Sequence, residues 1–416
     1  MRTLVDWLAH QQAQHPLSID LGLERVGSVA RRLGLLPYAL PSVIVGGTNG
    51  KGSTTAFLTA FARAAGLRVG TYTSPHLQRY NERVALDGEP VDDGSLVSAF
   101  EAIEAVRGET PLTFFEFGTL AALWVFKARG VEVAVLEVGL GGRLDATNLV
   151  DADVAVLCSV GLDHTDWLGP TREHIGREKA GIFRAGHPVV LGSADMPQSV
   201  HARIAELGCE AVWPGRGYEI DAVLAGLPEP ALQGSIQRGN AAAALTAFRA
   251  LMRRRPELGR RRTLDAAWAG EGLRGARLRG RFQRIPPVAA DGPEWILDVA
   301  HNEDSARSLA RSLAALPCDG RTRAVVGILA DKDAEAIGRI LAPCIDEWVL
   351  CGLPGERGVE AEVLRRRLPP ACRSVALAPD IAHGCATALA LSRPGDRIVV
   401  FGSFHAVGPA LDWLGV

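Results

Sequence analysis

The stretch Val43-Ile44-Val45-Gly46-Gly47-Thr48-Asn49-Gly50-Lys51-Gly52-Ser53 constrains what this chain can fold into more than any other. A β-branched run ends in clustered glycines, then Lys51 and Ser53, and passes into an apolar-periodic run from Thr54 to Ala65. That order predicts a strand, a tight loop and a helix. Glycines let backbone N–H groups turn inward as an anion nest, and the helix N-terminus adds partial positive charge. Lys51 is placed to reach the terminal phosphates of a nucleotide, and Ser53 to hold a Mg²⁺ ion bridging them. Two positions depart from the usual phosphate loop. Val45 stands four before Asn49 where glycine is usual, and Gly52 separates Lys51 from Ser53. The alternative is a glycine-rich turn of any doubly wound fold, and the flanking strand and helix weigh against it. The stretch is read as a nucleoside triphosphate site.

A chain of 416 residues exceeds the ~300 that one hydrophobic core usually supports, so two domains are expected. The formal charge of −2 gives no general pull toward nucleic acid or a membrane surface. Seven cysteines, at 158, 209, 318, 344, 351, 372 and 385, lack C-x-x-C spacing and suit buried thiols in a reducing cytoplasm. Arg2, Asp6 and His10 interrupt the N-terminal stretch, which therefore reads as neither signal peptide nor membrane span. A cytoplasmic, monomeric protein without membrane or nucleic-acid partners is expected.

Residues 1–40 read as mostly helical, interrupted at Ile19-Asp20-Leu21-Gly22-Leu23. Arg68 to Tyr72 predicts a second strand, running into the loop Thr73-Ser74-Pro75-His76-Leu77. Helices are expected over Asp92–Val106 and Phe117–Arg129, and strands over Val131–Val138, Val154–Ser159 and His187–Leu191, the last closing the set. This alternation predicts a phosphate-loop ATPase-like, doubly wound, mostly parallel α/β sheet. An alanine-rich helix over 236–252 and arginine-rich runs at 253–262 and 274–284 follow. The proline-rich stretch 285–294 has a linker's composition, dividing an N-terminal domain (1–284) from a smaller Rossmann-like α/β domain (295–416). Strands in that second domain are expected at Trp295–Val299, Ala324–Leu329, Trp348–Leu350 and Ile398–Phe401.

Several side chains invite chemistry, each with a plainer alternative. Glu137 ends an apolar strand, where a carboxylate either binds a cation such as Mg²⁺ or caps a neighbouring helix. His164, between Asp163 and Asp166, is equally a ligand or a satisfied loop residue. Ser74 could simply start a Ser-Pro turn. Asp145 either accepts two hydrogen bonds from a flat N–H-rich ring edge or begins a turn, and the residues alone favour the turn. Phe114, Phe115 and Phe117 are either a stacking surface or core. Lys179 lies on a helix running into an apolar patch and is either a snorkelling surface group or a desolvated nucleophilic amine able to take up CO₂. Asp298-Val299-Ala300-His301-Asn302 and Gly402-Ser403-Phe404-His405 end strands in the second domain, facing a cleft or forming ordinary turns. The arginines near 274–284 could hold an anion, though a solvated basic face accounts for most of them.

Together the segments Gly47–Ser53, Ser74–Leu77, Leu136–Asn148, Leu162–Thr165 and Gly176–Phe183 resemble folylpolyglutamate synthases. Asp298–Asn302 and Gly402–His405 look like the C-terminal signatures of the same family, and the resemblance spans nearly the whole chain in order. It is nearest to the bacterial bifunctional dihydrofolate synthase/folylpolyglutamate synthases of the Mur ligase superfamily. The resemblance implies that Thr48, Asn49, Gly50, Lys51, Gly52 and Ser53 cradle ATP, with Asn240, Arg281, Asp298 and His301 as further nucleotide contacts. It implies a Mg²⁺ set of Ser53, Ser74, Glu137, His164 and Lys179 for two ions, with a carbamylated Lys179 helping to hold the second. It also implies a dihydropteroate site of Ile19, Asp20, Leu21, Thr113, Phe114, Phe115, Glu116, Leu144, Asp145 and Ala146. Glu303 follows His301-Asn302 where many relatives have proline, a departure expected to alter only the helix start.

The implied reaction is ATP-dependent addition of L-glutamate to dihydropteroate, giving dihydrofolate, and of further glutamates to tetrahydrofolate. Lys51, His164 and Lys179 are the expected catalytic residues, and the second domain is expected to close over nucleotide and glutamate. A carboxylate must first become an acyl phosphate, because it is otherwise too poor an electrophile for an amine. Two rivals stand beside this reading: a ligase that only extends folates, and an ATP-binding regulatory module that transfers nothing. A cell-wall ligase of the Mur type would need a uridine-nucleotide pocket, which nothing in the sequence supports.

Overall fold

The computed structural model describes residues 2–15, 19–260, 265–287 and 292–416. The chain forms two compact units, Met1–Ala231 with Arg238–Arg277, and Leu232–Gln237 with Leu278–Val416.

In the first unit the described strands are β1 (Ser42–Gly46), β2 (Val69–Tyr72), β3 (Val84–Leu86), β4 (Glu89–Pro90), β5 (Val133–Glu137), β6 (Val154–Leu157), β7 (Pro188–Leu191), β8 (Glu210–Pro214) and β9 (Gly217–Tyr218). They form one sheet in the order β4-β3-β2-β5-β1-β6-β7-β8-β9. The central run is parallel, and β3 and β4 are antiparallel additions at one edge. Val43, Ile44 and Val45 of β1 are wholly buried. Continuous apolar runs of this kind are what a parallel sheet covered on both faces requires. The helix Lys51–Ala64 packs against the helix Ala266–Gly275, where Phe61, Phe248 and Trp268 form a ring cluster and the Trp268 indole donates to the Phe61 carbonyl at 3.1 Å. β1 lies between β5 and β6 and runs parallel to both, so the loops leaving these three strands gather at the C-terminal ends of the strands. Open α/β sheets bind ligands there.

The second unit carries β10 (Gln283–Ile285), β11 (Glu294–Leu297), β12 (Thr322–Val326), β13 (Glu347–Cys351), β14 (Ser374–Ala378) and β15 (Arg397–Phe401), in the order β10-β11-β15-β12-β13-β14. All neighbours are parallel except β10 and β11.

Three sequence expectations need correcting. The set does not close at β7, because β8 pairs beside it in parallel. Gln283, Arg284 and Ile285 pair antiparallel with Leu297, Ile296 and Trp295. The expected 285–294 linker is therefore a connection inside the second unit, and the chain changes units before it; residues 288–291 lie outside the described residues, as do 261 and 262 of the basic run. Proline and glycine mark a hairpin connection as readily as a linker, so composition could not separate the two. The helix expected from Phe117 begins three residues earlier, at Phe114. Thr113 and Glu116 form a capping box that starts it there.

All seven cysteines are unbridged thiols. No helix among the described residues is long and apolar enough to cross a membrane.

Candidate active site

The loop after β1 is strapped to the loop after β6. The Thr48 N–H donates to the Ser159 carbonyl at 2.9 Å, and the Thr48 hydroxyl accepts from Gly161 N–H at 3.0 Å. The Ser159 hydroxyl accepts from the Asn49 N–H and donates to the Asn49 carbonyl, both at 3.0 Å. Gly50 caps the helix Lys51–Ala64 at φ 91°, a left-handed conformation that glycine adopts without penalty. A Cβ on Gly50 would lie 2.8 Å from Asn240 Oδ1, so the structure brings Asn240 against the loop across nearly 200 residues of sequence.

Two lysines meet at this loop. Lys51 Nζ donates to the Gly47 and Thr48 carbonyls at 3.0 and 3.3 Å. Lys179, the last residue of the helix Arg172–Lys179, donates to the same Gly47 carbonyl at 3.1 Å. Lys179 is only 5% exposed, which decides between its two readings: it is no snorkelling surface group. Burial, reinforced by the Lys51 charge, pulls its amine from 10.5 down to about 7. A large fraction is therefore neutral near pH 7. The Cys158 thiol beneath the loop is pushed up to about 11 by burial and remains protonated and inert.

Glu137 ends β5 directly beside Val45 of β1 and is 4% exposed. Its carboxylate accepts the Ser74 N–H at 3.3 Å. Ser53 is buried in the first turn of the helix after the loop. His164 caps the short helix Thr165–Leu168 at φ 52°, ψ 40°. Left-handed backbone is uncommon outside glycine and tends to mark residues held for a purpose. Its N–H donates to the Asp163 carboxylate at 2.9 Å. Among the described residues no three His, Cys, Asp or Glu side chains gather as a ready metal cage. A serine hydroxyl and a buried carboxylate beside the glycine-rich loop are hard-oxygen groups of the kind that Mg²⁺ prefers.

A second cluster lies in the same unit. Asp20 and Glu116 are joined through Arg25, which ion-pairs with Asp20 and reaches the Glu116 carboxylate at 3.0 Å. Phe114 and Phe115 open the helix Phe114–Ala128 and are half-buried, whereas Phe117 is core. Phe115 lies 5.7 Å from the Tyr72 ring, and Phe114 lies edge-on to Tyr80 at 5.3 Å. The buried Asp145 braces the loop that follows β5. One oxygen accepts from Gly139 and Leu140 N–H at 3.0 and 2.8 Å, the other from the Thr147 N–H and hydroxyl at 3.0 and 2.6 Å. Burial nevertheless raises its pKa. With four donors already taken, the geometry favours the turn-forming reading over direct capture of a ring edge. Leu144 is half-buried and Ala146 buried in this braced loop, and Ile19 and Leu21 are half-buried on either side of Asp20. The loop lies tightly on the end of the Lys179 helix, for a Cβ on Gly142 would come within 2.9 Å of the Glu178 and Lys179 carbonyls.

In the second unit Asp298 follows β11, and its two oxygens accept the N–H groups of Phe282 and Ala300, each at 2.8 Å. Burial raises its pKa, with Arg281 acting in the opposite direction. The Arg281 guanidinium lies 5.0 Å over the Phe404 ring, and the His301 ring lies 6.4 Å from it. His301 Nδ1 meets the Val299 carbonyl at 2.8 Å, a contact that needs a proton on Nδ1. Asn302 caps the helix Glu303–Ala314, so Glu303 is its first residue. His405 is exposed, and its N–H donates to Ser403 at 3.0 Å. The Arg357 charge acts on His405, and no motif in the sequence marks this cationic group: Arg357 grips Asp331 at 2.7 Å, and the buried Lys332 lies 3.4 Å from the same carboxylate.

Residues 45–221 match the Mur ligase middle domain, and residues 280–404 match the Mur ligase, glutamate ligase domain. The chain is 43% identical to the dihydrofolate synthase/folylpolyglutamate synthase of Escherichia coli K12 over 98% of its own length and 95% of the relative's. The chain belongs to this family. The corresponding Haemophilus influenzae protein is 38% identical, over 97% of this chain and 96% of that one. Among solved structures, E. coli FolC in complex with DHPP and ADP superposes with a TM-score of 0.89 at 40% identity, covering 100% of this chain and 98% of that one. The Yersinia pestis bifunctional folylpolyglutamate synthase/dihydrofolate synthase complexed with AMPPNP and Mn ion gives 0.89 at 42% identity, covering 100% and 99%. The α/β fold with a large, mostly parallel sheet and a second, smaller sheet is the one expected from the sequence.

Proposed function

We propose that this chain is a bifunctional ligase that joins L-glutamate to dihydropteroate and to tetrahydrofolate, with cleavage of ATP to ADP and inorganic phosphate. The observation that carries the reading is the buried Lys179 amine on the Gly47 carbonyl, beside Lys51 and a phosphate loop. Full-length similarity to bifunctional relatives supports the two acceptors.

Thr48 to Ser53, with Asn240, would cradle the nucleotide, and Lys51 would turn from the loop carbonyls to the γ-phosphate. The acceptor carboxylate attacks the γ-phosphorus and ADP departs, leaving an acyl phosphate. The glutamate amine then adds to the acyl carbon, loses a proton, and expels inorganic phosphate. Ser53, Ser74, Glu137 and His164 would hold Mg²⁺, a carbamylated Lys179 would help to hold a second ion, and the metal would supply charge neutralisation on the phosphates. Carbamylation needs a neutral amine: the Lys179 lone pair attacks CO₂, a proton leaves, and an anionic carbamate replaces one of two adjacent cations. The remaining work is positioning. In the second unit, Arg281, Asp298 and His301 are the nucleotide contacts of this reading. The cationic Lys332 and Arg357 suit an amino dicarboxylate, and the aromatic cluster of Phe114 and Phe115 suits a flat ring.

An isotope experiment tests the sequence of steps. Acceptor labelled with ¹⁸O in its carboxylate should pass one label to inorganic phosphate per turnover. Unlabelled phosphate with product formed would refute the acyl phosphate.

A further inference from the structure

Arg83 has no part in the reading above, yet its surroundings are those of a ligand contact. It is half-buried, directly before β3. Its guanidinium lies over two rings, Tyr80 and Phe114, each at 5.4 Å. Its Nε donates to His76 Nδ1 at 2.9 Å. The two terminal nitrogens, Nη1 and Nη2, make no hydrogen bond or ion pair with any described residue. A partly buried cation without a carboxylate partner is costly, and two aromatic faces only partly offset that cost. The guanidinium is packed against the two rings and anchored through Nε, which leaves its two terminal nitrogens preorganised for an anion.

Two features locate that anion. Phe114 belongs to the proposed acceptor set. His76 lies two residues beyond Ser74, at most ~7 Å along the chain, and Ser74 touches Glu137. The fork therefore lies near the reacting carboxylate. A bidentate guanidinium would tie down the oxygen lone pairs of that carboxylate and suppress its attack on phosphorus. Arginine is suited instead to a carboxylate that does not react. Dihydropteroate has one carboxylate, the reacting one. A glutamylated acceptor has a second.

We infer that Arg83 is a specificity residue that binds the non-reacting carboxylate of a glutamylated acceptor, and so serves the chain-extending reaction and not the addition to dihydropteroate. This rests on the ligase reading.

The test compares wild type with Arg83→Met and Arg83→Lys in steady-state ADP release, with dihydropteroate and tetrahydrofolate as separate acceptors. Losing a charged, bidentate contact should raise the tetrahydrofolate KM of Arg83→Met about 10- to 100-fold. The dihydropteroate KM should move less than about threefold, since methionine keeps an apolar stem on the rings. Arg83→Lys, which keeps charge without the fork, should fall between. Tetrahydropteroate, the same reduced ring without the glutamate, should bind wild type and Arg83→Met alike. Equal losses on both acceptors, including those of a misfolded variant, or no loss on either, would overturn the assignment. Wild-type protein without acceptor-dependent ADP release would refute the ligase reading itself, a result distinct from either variant outcome.

Discussion

Replacing Lys179 by methionine should make the protein more stable near neutral pH while abolishing turnover. The folded state holds this amine at about 7 against 10.5 in the unfolded chain. The unfolded state therefore binds a proton that the folded state binds less readily, and wild type pays a stability penalty wherever that difference exists. At 1.36 kcal/mol per decade the penalty is about 4–5 kcal/mol at pH 7. It is complete below pH 7, shrinks as pH rises toward 10.5, and is absent above. Methionine removes it but also removes the hydrogen bond to the Gly47 carbonyl, a loss of about 1–3 kcal/mol where an acceptor is left buried. The net gain at pH 7 should be about 2–3 kcal/mol, crossing zero near pH ~9. Urea unfolding at pH 6.5, 8 and 9.5 in CO₂-depleted buffer measures it. Added bicarbonate should stabilise wild type and leave Lys179→Met unchanged, because only the lysine can carry a carbamate. A variant less stable than wild type at pH 7, or a gain independent of pH, would refute the argument.

Gly50→Ala forces a left-handed alanine toward the Asn240 amide, and should cost about 2 kcal/mol in urea unfolding and weaken nucleotide binding by calorimetry. Asp145→Asn turns an amide N–H₂ toward backbone donors, so the loop Gly139–Thr147 should loosen, with a loss of about 2–3 kcal/mol and faster hydrogen exchange there. Arg25→Met leaves Glu116 buried without its partner and should cost about 3 kcal/mol in urea unfolding and raise the dihydropteroate KM; an unchanged KM would remove Arg25 from the acceptor site.

The parallel core was legible because buried strands such as Val43–Gly46 read as unbroken apolar runs, and the loop after β1 because its glycines have one obvious use. Short or edge strands were not. β3, β4 and β14 have few apolar residues committed to a core, and their pairing is decided by tertiary neighbours. Lys179 shows the same limit at the site: sequence places it at the end of a helix, and only the fold shows that the end is buried against another lysine. Nothing in the sequence marks Arg25 and Arg83, because arginine is common on surfaces. What distinguishes them is a carboxylate 91 residues away in one case and two ring faces in the other. For Asp145 the residues alone favour a turn former and the family resemblance implies an acceptor contact, and its four hydrogen bonds favour the first.

The most direct test of the account is ADP release by the pure protein with Mg-ATP and L-glutamate, given dihydropteroate, tetrahydrofolate or no acceptor, with Lys51→Ala in parallel. The account requires release with each acceptor, little without one, and none above background from Lys51→Ala. Tight ATP binding with no acceptor-dependent release, or full activity in Lys51→Ala, would contradict it.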